Sequence, residues 1–165
     1  MSWRATSEIT SLEELWRLSE ALIRRAQETL VVELFPQQWP ALADPSPQPG
    51  ERLGQACAVL LFSSDPPAPD SRLPNASTSR VSEAVLKNLP YAQLAIIADG
   101  RQVVLAAQST TSGALLRGLW SDDPLLSRLR HNGLVSDILI HRSEGIQAFR
   151  SPNREFLGRR PSDIS

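Results

Sequence analysis

The stretch that most constrains this chain is Gln93 to Ala106, QLAIIADGRQVVLA, where two apolar runs meet at Asp99-Gly100. An Asp-Gly pair between such runs reads as a hairpin, because turns that match the twist of paired strands need positive φ, which these two residues adopt most readily. The hairpin imposes an antiparallel pair on whatever sheet the chain builds. It also raises a question of chemistry, since Asp99 reads either as a turn residue or as the last residue of a catalytic motif.

Upstream, Ser11-Leu12-Glu13-Glu14 has the form of a capping box, and Leu12, Leu15, Trp16, Leu22, Ile23 and Ala26 then recur at helical spacing. These features predict an amphipathic helix to about Glu28. Leu30 to Phe35, closed by Pro36, reads as a buried strand in which Glu33 is the odd member. Residues 40 to 56 carry four prolines and two glycines, leaving room for a short helix over Glu51 to Ala56 only. Cys57 to Phe62 reads as a second buried strand, and residues 63 to 79 have the Pro, Ser, Asp and Asn content of a solvated loop.

Arg80 to Leu89 fits helix or strand equally, after which Pro90 resets the chain for the hairpin. Leu115 to Trp120 reads as another strand. Asp123 is placed to cap a helix with Pro124 at its first position, its apolar residues running from Leu125 to Leu139 and interrupted by Asn132-Gly133, where a break or kink is expected. Helices and strands in this order, with an antiparallel hairpin among them, predict an α/β fold with a mixed sheet flanked by helices.

With 165 residues, 41% of them hydrophobic, the chain has the size of one globular domain, expected over residues 1–145. Residues 146–165 lose periodicity and are expected as a polar, flexible tail. Seventeen basic against 18 acidic residues give a net charge of −1, which offers no basic footprint for nucleic acid. One cysteine excludes a disulfide framework, and the lack of a signal peptide or a membrane-spanning run predicts a cytoplasmic protein without a membrane partner. Nucleotide-binding glycine loops, HExxH, clustered Cys/His ligands and a GxSxG elbow are all missing from the sequence, so no cofactor or metal is implied. His131 and His141 read as helix-surface residues beside Arg130 and Arg142.

Six segments stand in a telling order: Trp3-Arg4-Ala5-Thr6-Ser7, Leu22 to Ala26, Val31 to Leu34 with Trp39, Val59 to Phe62, Ile97 to Arg101 with Val104-Leu105, and Gly118-Leu119-Trp120 before Asp123-Pro124-Leu125. Taken together, they resemble the C-terminal effector domain of TrmB-type sugar-responsive transcriptional regulators, a family with a phospholipase-D-like fold. The resemblance runs from about Trp3 to His141 and departs from the family around residues 44 to 55, where prolines replace a continuous helix. It implies a phospholipase-D-like sandwich. Enzymes of that fold use His-x-Lys-x-x-x-x-Asp, and with Asp99 as the final residue the His and Lys positions hold Ala92 and Leu94. A methyl group cannot attack phosphorus and an isobutyl group cannot bind phosphate, so the chain is not expected to be an enzyme.

The resemblance implies a ligand-sensing, dimerising effector domain that binds a sugar or related metabolite and modulates a helix-turn-helix partner or a separate N-terminal domain. Sugar sites combine an aromatic face with hydrogen-bonding groups for the hydroxyls. The candidates are therefore Trp39 and Trp120, just after predicted strands, with Glu33, Asp99, Ser121 and Asp122. Winged helix-turn-helix residues do not precede Trp3-Arg4 in this sequence, which leaves an excised domain and a stand-alone sensor both open. Two other readings compete: an interaction or dimerisation module without a small ligand, and a degenerate phospholipase-D-like phosphodiesterase.

Overall fold

The computed structural model describes residues 5–35, 38, 57–61, 76–78 and 90–142. Among them a seven-stranded mixed sheet carries one helix on each face. The strands are β1 (Thr6–Glu8), β2 (Leu30–Leu34), β3 (Cys57–Leu61), β4 (Ala76–Thr78), β5 (Tyr91–Ala98), β6 (Gln102–Ser109) and β7 (Leu115–Ser121). The helices are α1 (Leu12–Arg25) and α2 (Pro124–Arg142). The spatial order is β1-β7-β6-β5-β2-β3-β4. β2, β3 and β4 run parallel, whereas β5, β6, β7 and β1 continue from β2 in antiparallel pairs.

The hairpin of β5 and β6 lies at the centre of the sheet. Asp99 and Gly100 have φ of 56° and 59°, and Arg101 N donates to Ala98 O at 3.0 Å to close the turn. Two positive φ values in succession are what the favoured hairpin turns require. β2 is buried along its whole length, so its residues alternate between two cores rather than between core and water.

The core on the α1 side gathers Leu15, Leu22 and Ile23 of α1 with Leu30, Val32, Leu34, Leu94, Ile96 and Val104. The core on the α2 side gathers Leu134 and Ile138 of α2 with Val31, Ala95, Ile97 and Val103. Each such fully buried aliphatic side chain stabilises the fold by about 1.5–3 kcal/mol.

α1 begins as expected: Ser11 Oγ accepts from Glu14 N at 3.1 Å, while Glu14 Oε2 accepts from Thr10 N at 3.1 Å. It ends at Arg25, earlier than the apolar spacing predicts. The reason is that the next backbone N–H groups, of Gln27, Glu28 and Thr29, are taken by the Asp99 carboxylate. α2 is capped by Asp123, whose Oδ1 accepts from Leu125 N at 2.8 Å.

The break expected at Asn132-Gly133 does not occur, and the helix is continuous through both. Glycine in a helix interior costs about 1 kcal/mol, and the burial of Leu134 and Ile138 beyond it outweighs that local cost.

Two short edge strands were not legible as strands. β4 lies inside the stretch read as loop, and β1 is three exposed residues without pattern. Gly118 of β7 makes β1's approach possible: a Cβ there would lie 2.7 Å from Ile9 Cβ, and Ile9 N donates to Gly118 O at 2.9 Å. The short helix over Glu51 to Ala56, the ambiguous segment Arg80 to Leu89 and the tail of residues 146–165 lie outside the described residues.

Candidate functional site

The carboxyl end of β2 is where the parallel half of the sheet meets the antiparallel half. Junctions of this kind in open α/β sheets are where ligands tend to bind. Glu33, next to last in β2, shares the α2 face of the sheet with Val31 and is 3% exposed. Its Oε2 accepts from Gln93 Nε2 at 3.2 Å and forms an ion pair with Arg130 Nη2 of α2. Gln93 is brought there because Glu33 pairs with Ala95 across the β2–β5 ladder, one same-face step from Gln93.

Burial pushes the Glu33 carboxyl above the usual glutamate range; the charge and hydrogen bond of Arg130 oppose this, and the nearby Asp137 adds to it. The carboxyl group, amide and guanidinium together present donors and acceptors suited to polar ligand groups.

The other sequence candidates lie elsewhere. Asp99 is consumed by backbone: its carboxylate accepts from the N–H groups of Gln27 at 3.1 Å, Glu28 at 2.7 Å and Thr29 at 2.9 Å, and Asp99 N donates to Thr29 O at 2.8 Å. Burial disfavours its charge, but these N–H groups and the charge of Arg101 outweigh that and hold Asp99 below the usual aspartate range. Trp120 packs on the α1-side core, so the sheet itself separates it from Glu33.

Ser121 is buried at the junction of β1, β7 and α2. Its Oγ lies 2.8 Å from Thr6 Oγ1 and accepts from Asp123 N at 3.1 Å. Asp122 N donates to Ala5 O at 3.1 Å, which also ties it to the β1 edge. Ser121 pairs with Val103, at the Asp99 end of the sheet, away from Glu33. Trp39 lies outside the described residues. Of the proposed residues that are described, Glu33 alone is thus placed at the β2 junction, joined by two residues that sequence reasoning missed.

A signal for Arg130 was present in the sequence: it lies four residues from both Leu126 and Leu134, on the helix face that turns inward. Gln93 shares the alternation of Ala95 and Ile97, which places it on the α2 face.

On the opposite face, Gln38 Nε2 donates to Gln108 Oε1 at 2.6 Å while Gln38 Oε1 accepts from Phe35 N at 2.9 Å. This buried pair fastens the chain beyond β2 to β6. Ala92 and Leu94 of β5 are interior, 1% and 0% exposed. Among the described residues no group of three or more His, Cys, Asp or Glu is arranged to hold a metal ion. None of the described helices is long and apolar enough to cross a membrane.

The chain matches no protein-family model and no curated protein. Among the solved structures it is similar to TrmBL2, an archaeal chromatin protein with a novel mode of DNA binding. The TM-score is 0.49 at 9% identity, over 79% of this chain and 51% of that one. The chain therefore spans about half the length of TrmBL2.

Proposed function

We propose that this chain is a ligand-sensing, dimerising effector domain of the TrmB type, with a phospholipase-D-like arrangement of its sheet and helices. In this reading it binds a sugar or related metabolite and passes the bound state to a DNA-binding partner or domain; it neither cleaves phosphodiesters nor grips nucleic acid itself. The observation that carries the reading is the cluster of Glu33, Gln93 and Arg130 at the carboxyl end of β2, a buried carboxyl group with two half-buried donors at a sheet junction. Trp39, which follows β2 in sequence, is the aromatic candidate for the same ligand. The sequence order of segments shared with the family supports the assignment, as does the burial of Ala92 and Leu94 where the enzymes need His and Lys.

Control of this kind requires a ligand that binds one state better than the other. A thermal-shift screen across neutral sugars and sugar phosphates tests it. A ligand present at 100 times its Kd stabilises the native state by about 2.7 kcal/mol, a shift of several degrees, and Glu33→Gln should abolish that shift. No shift with any compound at millimolar concentration would sink the reading and leave the interaction module in its place.

A further inference from the structure

The two halves of α2 are built differently. Beyond Gly133, Leu134 and Ile138 are buried against Val31, Ala95, Ile97 and Val103. Before it the helix is turned inside out: Leu125 and Leu129 are 68% and 64% exposed, whereas Ser127 is fully buried. Ser127 Oγ and Arg130 Nε are both buried without a hydrogen-bond partner. Buried donors left unsatisfied weaken the seat they occupy, and leucines left in water add nothing to it. Among the described residues, the contacts that hold the first half down include the Asp123 cap, the partial burial of Leu126 and the Arg130–Glu33 ion pair.

Between the halves, a Cβ on Gly133 would meet nothing within 4 Å, so packing makes no demand for glycine there. A glycine in a helix interior is where backbone freedom is greatest and where helices bend.

We propose that Gly133 is a hinge about which residues 124–132 swing away from the sheet, with the Arg130–Glu33 ion pair as the latch. Opening uncovers Glu33 and Gln93 and frees the unsatisfied Ser127 and Arg130 groups to reach water. The device goes beyond the sensing reading, because it needs no ligand and its test uses none.

Amide hydrogen exchange resolved by NMR on the full chain decides it. Each helical N–H bonds the carbonyl four residues back, so a swing about Gly133 keeps the bonds within residues 124–132 and breaks those that span the hinge. The amides of residues 134–136 should therefore exchange at least about tenfold faster than those of residues 138–140, although both sets are interior to the helix. Gly133→Ala should slow the first set by roughly threefold or more, and Arg130→Gln should speed it by about tenfold, each leaving the second set within about twofold. Equal exchange of the two sets in the native protein would overturn the hinge. So would a common shift of both sets in either variant, since α2 would then open as one unit. Gly133→Ala keeps the test valid should Arg130→Gln fail to fold.

Discussion

At the residue scale, two carboxyl groups show how environment decides role. Asp99 is held ionised by three backbone N–H donors, two of them at the surface where water can take its place, so Asp99→Ala should cost about 0.5–1.5 kcal/mol in denaturant unfolding at pH 7. The folded-state pKa is lowered, so its contribution is present above the unfolded value near 3.9 and fades as pH falls through the folded one. The cost of the substitution should shrink accordingly in acid. Glu33 has the opposite sign. Its folded pKa is raised, so its contribution is fully present below the unfolded value near 4.3 and is lost as pH rises through the folded one. Melting curves should therefore show Glu33→Gln gaining on the native protein between pH 4 and 7; a growing deficit over that range would contradict the assignment. Glu33 stood out in the sequence because a carboxylate inside an apolar strand is costly unless paired. Its partner Arg130 was far harder to see, because 97 residues separate the two and only the crossing of α2 over the sheet brings them together.

At the scale of elements, local chemistry was legible and long-range pairing was not. The capping box placed the start of α1, and the Asp-Gly turn placed the central hairpin, because both signals are satisfied within a few residues. The end of α1 was misplaced since its trailing amides go to Asp99, some 70 residues away. Continuity of α2 through Gly133 was missed for the same kind of reason: the glycine's cost is local, whereas the compensating burial comes from strands elsewhere in the chain. β1 escaped notice because nothing in its three residues announces a strand; Gly118 held the information, through the room it leaves for Ile9. Gly118→Ala should force Ile9 and its carbonyl outward and destabilise the fold by about 1–3 kcal/mol. A fall of several degrees in melting temperature would report it, and an unchanged value would mean that β1 adapts freely.

At the scale of the whole molecule, the sheet divides its labour between two faces and two ends. Among the described residues, the α1 face is an apolar core with a buried glutamine pair and the unpartnered Ser19 Oγ, while the α2 face carries the Glu33–Arg130 ion pair with the unpartnered Ser127 Oγ and Arg130 Nε. The proposed site and the proposed hinge share the α2 face because the Glu33–Arg130 ion pair joins that helix to β2. The β1–β7 contact has a consequence for solubility. β7 is paired on one side with β6, and the three residues of β1 cover the other. A chain shortened past Glu8 would keep most of its buried apolar surface yet present a bare backbone ladder, a template on which another molecule can add a strand. Such a protein should fail by self-association in light scattering before it fails by melting, which makes β1 a guard on the sheet margin more than a brace for the core.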